Sequence, residues 1–169
     1  MRWNPDLKIP PPPPKKAREV VHIDIKSGEL TFGQRIDLGK ILANDTSSLE
    51  KFQKVFECLH KFKPIESEYP KLLDYFTEII EGIKFWIECE TTMLKYDPSS
   101  EEIQAGVKEL SKNTGEFSTV KALAKAYHKD PDEILKWEYG KVFGILYTDL
   151  EEHKFQLRYN KVIESKYKK

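Results

Sequence analysis

From Thr31 onward the apolar positions recur three and four apart, the spacing that lines one face of an α-helix. Thr31 followed by Gln34 is a capping box, and Phe32, Ile36, Ile41 and Leu42 lie on related faces, so a helix is predicted up to the break at Asn44-Asp45-Thr46. Ser47 with Glu50 opens a second helix, whose stripe of Leu49, Phe52, Val55, Phe56, Leu59 and Phe62 ends before Pro64. Pro70 suits the first turn of a third. That helix carries Leu72, Leu73, Phe76, Ile79, Ile80, Ile83, Trp86 and Ile87 and reaches about Leu94. It is the most hydrophobic in the chain and is expected at the centre of the core. Asp97-Pro98 stops it. Two short helices come next, one with Ile103, Val107 and Leu110 ending near Gly115, the other opening at Ser118 with Val120, Leu123, Ala124 and Tyr127. Asp130-Pro131-Asp132-Glu133 combines a capping Asp, a first-turn Pro and acids that match the positive end of the helix dipole. The last helix is predicted from Pro131 to about Lys166, roughly 50 Å at 1.5 Å per residue. Its first half is apolar on a wide face. Its second half is mostly polar and is expected to project or to be covered by a partner.

The N-terminal region breaks this pattern. Val20 to Lys26 alternates apolar and polar positions with β-branched residues, which predicts one short strand before a turn at Ser27-Gly28. Ahead of it, residues 1–18 hold five consecutive prolines, Pro10 to Pro14, which favour an extended polyproline II rod. Trp3, Leu7 and Ile9 precede that rod. This arm is either a spacer or a docking segment whose prolines lower the entropy cost of ordering. The expected architecture is all-α: a helical bundle of five to six helices over 19–169, with a long C-terminal helix, one short N-terminal β-strand and the Pro-rich arm.

Composition narrows the function classes. With 169 residues, 39% hydrophobic and 12% aromatic, the chain can bury a core of its own. Twenty-eight Lys plus Arg balance twenty-eight Asp plus Glu. A dedicated nucleic-acid binder carries a basic excess, so the balance argues against that class while leaving room for a local basic patch. Zero net charge also removes the repulsion that keeps copies apart, which leaves a homo-oligomer open. Cys58 and Cys89 each sit in an apolar helical pattern and read as buried thiols in a reducing compartment. No membrane span is expected, since no run approaches roughly 18 apolar residues. The N-terminus lacks the pattern of a signal peptide, so a cytoplasmic protein is expected.

Catalytic signals are sparse. His22, His60, His128 and His153 show no metal-ligand spacing, and Cys58 and His60 are two apart on a helix and point in different directions. There is no glycine-rich phosphate loop and no nucleophile elbow. No enzyme activity, cofactor or metal is therefore expected. Gly140 and Gly144 share a helix face and permit close approach of another helix, either inside the domain or between subunits. Tyr139, Phe143 and Tyr147 line a neighbouring face beside Trp137. Toward the end, Phe155, Tyr159 and Val162 interleave with Arg158, Lys161 and Lys166, a pattern that suits an acidic protein surface or nucleic acid.

Two resemblances add to this. Val120 to Gly140 resembles a helix-turn-helix, with Ala124 and Ile134 where that motif packs its helices. Its turn position holds His128 in place of glycine, and its second helix is acidic at its start. The C-terminal half is similar to small helical proteins of tailed bacteriophages, among them tail-assembly chaperones and related morphogenesis proteins. The residues are Asp132, Glu133, Ile134, Leu135, Trp137 and Tyr139, then Phe155, Arg158 and Tyr159. That resemblance implies a non-enzymatic assembly or virion protein in the host cytoplasm or the virion, whose partners are other phage or assembly proteins. The alternative is a helix-turn-helix regulator. The residues expected to meet a partner are Trp3, Leu7, Ile9 and Pro12 in the arm, Gly140 and Gly144 on the last helix, and Phe155, Arg158 and Tyr159 near its end.

Overall fold

The computed structural model describes residues 20–167, and they are mostly helical. Seven helices occur in this order: α1 (Phe32–Ala43), α2 (Ser48–His60), α3 (Tyr69–Met93), α4 (Ser100–Gln104), α5 (Val107–Tyr127), α6 (Pro131–Ile134) and α7 (Tyr139–Tyr167). A single 3-10 turn at Glu66–Glu68 leads into α3. The all-α expectation holds for these residues. The arm over 1–18 lies outside them.

Local signals place the first three helices. The Thr31 capping box forms in both directions: the Gln34 amide donates to Thr31 Oγ1 at 3.2 Å, and the Thr31 amide donates to Gln34 Oε1 at 2.9 Å. Ser47 caps α2 by accepting from the Glu50 amide. Lys61, in the left-handed region at φ 59°, ends it. Pro70 sits in the first turn of α3, whose Leu72, Tyr75, Ile79, Ile83 and Trp86 are buried. With Leu30, Leu38, Val55, Phe56, Ile134 and Val142 they build one continuous core. α3 is central to it, as its apolar content predicts.

The strand expected over Val20 to Lys26 does not form. Residues 20–24 run without regular structure and 25–28 make a turn. Among the described residues, the one β-type pairing is an isolated bridge between Thr31 and Glu138. The alternation instead marks a strap laid across α3. Ile25 is buried over Gly82, whose missing Cβ would lie 2.6 Å from that of Ile25. Trp86 Nε1 donates to the Ile25 carbonyl at 2.6 Å. A strap held by side chains and packing needs no ladder.

The last helix is also shorter than predicted. It does not run unbroken from Pro131, because the chain leaves the helix after Ile134 and re-enters at Tyr139. The carbonyls of Leu135 and Trp137 accept from the Gly33 and Phe32 amides, each at 2.8 Å. These two donors begin α1 and have no partner within it. The Tyr139 amide in turn donates to the Leu30 carbonyl at 2.8 Å, and the Gly140 amide to that of Gly28 at 3.2 Å. Backbone bonds to a remote segment thus override a helical pattern that contains neither Gly nor Pro at the break. The short helix predicted up to Gly115 is likewise divided, at Gly106 (φ 87°), and Gly115 is a kink inside α5.

At the open end of the strap, the Tyr75 hydroxyl accepts from the Ile23 amide at 2.9 Å and lies 3.1 Å from His60 Nε2. The His22 ring stacks on Tyr75 at 4.0 Å. The hydroxyl keeps a second lone pair and its own hydrogen, so it can accept from or donate to His60 Nε2 according to which ring nitrogen carries the proton. Burial, reinforced by the nearby His22, lowers the His60 pKa from the ordinary histidine value. A folded-state pKa below the unfolded one means that the neutral form is favoured by folding. The stability that goes with a neutral, half-buried His60 is complete above the unfolded value of about 6.5 and is lost as pH falls through the lower folded value. Thermal unfolding should therefore shift to lower temperature between about pH 7 and pH 5, and His60→Leu should remove its share of that slope.

Candidate interaction surface

The base of α7 is fastened by aromatic packing and one buried ion pair. Tyr139 and Phe143 meet the Trp86 ring edge-on, with centroids 5.0 and 5.2 Å away. Arg35 of α1 forms a two-pronged bond to Glu90 of α3, Nε to Oε1 at 2.9 Å and Nη2 to Oε2 at 2.6 Å. The Tyr139 hydroxyl donates to the same carboxylate. Arg35 also stands over the Tyr139 ring, 5.7 Å from its centroid. Burial and the adjacent Glu90 carboxylate push the Tyr139 phenol well above its ordinary pKa, so it stays protonated and keeps donating. The cluster borders a cavity of about 170 Å³ and ties α1, α3 and the start of α7 together.

Beyond Phe143 no residue of α7 is fully buried. Phe155, Tyr159 and Val162 are 59%, 50% and 52% exposed. Spaced four and three apart, they lie on one face, and the Phe155 and Tyr159 rings stack with centroids 6.2 Å apart. Arg158, Lys161 and Lys166 are exposed among them. Leu157, 43% exposed, points to the other side of the helix. The apolar stripe therefore stands clear of the core, as expected for the second half of the last helix.

The two glycines have separate environments. Gly140 packs within the domain: a Cβ there would lie 3.3 Å from the Ser27 carbonyl oxygen and 3.5 Å from Gly28 Cα. Its expected role at a partner surface is corrected accordingly, because the backbone of the chain's own strap occupies the space a second helix would need. Gly144 is exposed, with nothing within 4 Å of a Cβ built on it. The aromatic face divides the same way. Tyr139 and Phe143 are core residues, Trp137 is half-buried beneath the Lys141 ammonium, and Tyr147 is 38% exposed. Trp3, Leu7, Ile9 and Pro12 lie outside the described residues.

The helix-turn-helix expected over Val120 to Gly140 forms only in part. α5 supplies a first helix, and His128 does adopt the left-handed turn conformation at φ 52°. The second helix, however, is the four residues of α6, and the loop behind it is bonded to α1. A segment of one turn offers no recognition helix for a major groove. A groove of about 500 Å³ lies between α1, the Gly115 kink and α6, with Ile36, Val120 and Leu135 lining it and Lys40, Lys112 and Asp132 at its edge. Among the described residues no group of three or more His, Cys, Asp or Glu is placed to hold a metal. No described helix is long and apolar enough to cross a membrane.

Comparison of the chain with protein-family models, with curated proteins and with solved structures finds no match. What the fold and surface define is a helical domain from which half of a long C-terminal helix emerges, with Phe155, Tyr159 and Val162 exposed on one of its faces. Arg35 and Glu90, which fix the base of that helix, carry no motif. The one available signal was an arginine among the apolar positions Phe32, Ile36 and Leu38 of α1.

Proposed function

We propose that this chain is a non-enzymatic protein–protein interaction protein, a bacteriophage assembly factor or virion adaptor of the tail-assembly-chaperone type, which docks on other assembly proteins through α7. The observation that carries the reading is the stripe of Phe155, Tyr159 and Val162, half or more exposed on a helix whose base is rigidly held. Aromatic side chains concentrate binding energy at protein interfaces, and the interleaved Arg158 and Lys161 suit an acidic partner. The viral assignment rests on the sequence resemblance over Asp132 to Tyr159. Its setting is the host cytoplasm or the virion.

Co-expression with the proteins encoded beside it tests the reading. The full chain should co-purify with one of them. Phe155→Asp with Tyr159→Asp should abolish that co-purification while the circular dichroism spectrum and the unfolding midpoint stay unchanged. Retention of the partner by the doubly substituted chain would overturn the reading.

A further inference from the structure

The exposed stripe of α7 is asymmetric in charge along its length. Glu151 and Glu152 stand at the end nearer the domain, and Arg158, Lys161 and Lys166 at the far end, with Phe155, Tyr159 and Val162 between and among them; the one acid at the far end, Glu164, lies on the opposite side of the helix from Phe155. Glu151 bonds Lys154 at 2.9 Å. Glu152, Arg158, Lys161 and Lys166 form no ion pair among the described residues. Such a gradient is self-complementary in one arrangement only. Two copies in parallel would set acid against acid and base against base. Two copies related by a twofold axis set the acidic end of each against the basic end of the other.

We infer that the α7 stripe pairs with the α7 stripe of a second copy of this chain, antiparallel, about a twofold axis that passes between Phe155 and Tyr159. This rests on the reading of α7 as a docking surface: a second copy covers the stripe in the chain on its own, and an assembly partner that takes Phe155 and Tyr159 displaces it. Thr148 and Lys166 bound an overlap of about 27 Å at 1.5 Å per residue. The midpoint falls between Phe155 and Tyr159, so each Phe155 meets Tyr159 of the second copy at the dry centre. Glu151 and Glu152 then come within long-side-chain reach of Lys166 and, from the flank of the helix, of Lys161 across both ends. The two domains sit at opposite ends of the pair, because only the base of each helix is held in its domain. A chain with balanced charge, 28 cations against 28 anions, raises no global repulsion against such a pair. The contact is modest in area and partly electrostatic, so it weakens with salt.

Sedimentation velocity on the full chain tests this. At low salt and rising concentration the mass should move toward twice that of one chain, and Phe155→Asp with Tyr159→Asp should return it to one. Glu151→Lys with Glu152→Lys should be monomeric, and so should Lys161→Glu with Lys166→Glu. An equimolar mixture of those two charge variants should recover the dimer. All four charged positions are solvent-accessible, so the substitutions leave the fold intact, and circular dichroism checks this. A wild-type chain that stays monomeric throughout overturns the inference, as do charge variants that dimerise like the wild type. Failure is distinguishable from failure of the function: a monomeric chain that still holds a co-expressed protein through Phe155 and Tyr159 loses only the inference. A dimer that holds no such protein loses only the function.

Discussion

Arg35→Met should lower the unfolding free energy by about 3 kcal/mol, the low end of the cost of removing one partner from a buried ion pair. The Arg35 side chain is 7% exposed and that of Glu90 is 28%. Removing the guanidinium leaves a carboxylate that keeps some hydration and the Tyr139 hydroxyl, but loses two charge-assisted bonds. The substitution also releases the start of α7 from α1. Arg35→Met combined with Glu90→Leu and Tyr139→Phe should recover most of the loss, since an apolar cluster of similar volume carries no desolvation cost. Urea unfolding checks both, read at the midpoint with the slope held constant. A single substitution that costs as little as a surface change would show that the pair contributes nothing to the anchoring of α7.

Gly28→Ala should cost about 2–4 kcal/mol, a sum of left-handed backbone strain and overpacking. Gly28 has φ 84°, and a Cβ there would lie 2.7 Å from both Cα and N of Gly140. Those are backbone atoms at the start of α7, held by the Gly140 amide bond to the Gly28 carbonyl. Neither side can yield without breaking that bond. Gly140→Ala should be milder, because its Cβ meets nothing closer than 3.3 Å. Denaturant unfolding gives the energies. Hydrogen exchange gives the location: amides of the strap, Ile23 among them, should exchange faster in Gly28→Ala than in the parent.

Where helix boundaries depend on neighbours in sequence, the chain declared them. Thr31 with Gln34, Ser47 with Glu50, Pro70 and Asp130-Pro131 satisfy the first-turn donors of their own helices or tolerate their absence. Such signals involve groups no more than three residues apart and survive in any tertiary setting. The exposed stripe of α7 was legible for a similar reason. Its polar content could not enter the core, so Phe155 and Tyr159 had to stand outside it.

The break before α7 was not legible. Nothing between Leu135 and Glu138 disfavours a helix, and the periodicity continues across it. The cause lies far earlier in the chain, in the amides of Phe32 and Gly33 that need acceptors. Val20 to Lys26 failed in the opposite direction. Its alternation is real, but a strand requires a partner edge, and beside it lies the side-chain surface of α3.

The sequence by itself therefore determined the helical class, most helix starts and the mostly polar second half of the last helix, because these arise from periodicity, local capping and composition. Only the tertiary structure decided that α7 begins at Tyr139, that Gly140 belongs to the interior and that Arg35 and Glu90 meet. Each of those depends on a contact between residues at least 49 positions apart (the shortest being Tyr139 with Glu90), which no local pattern encodes.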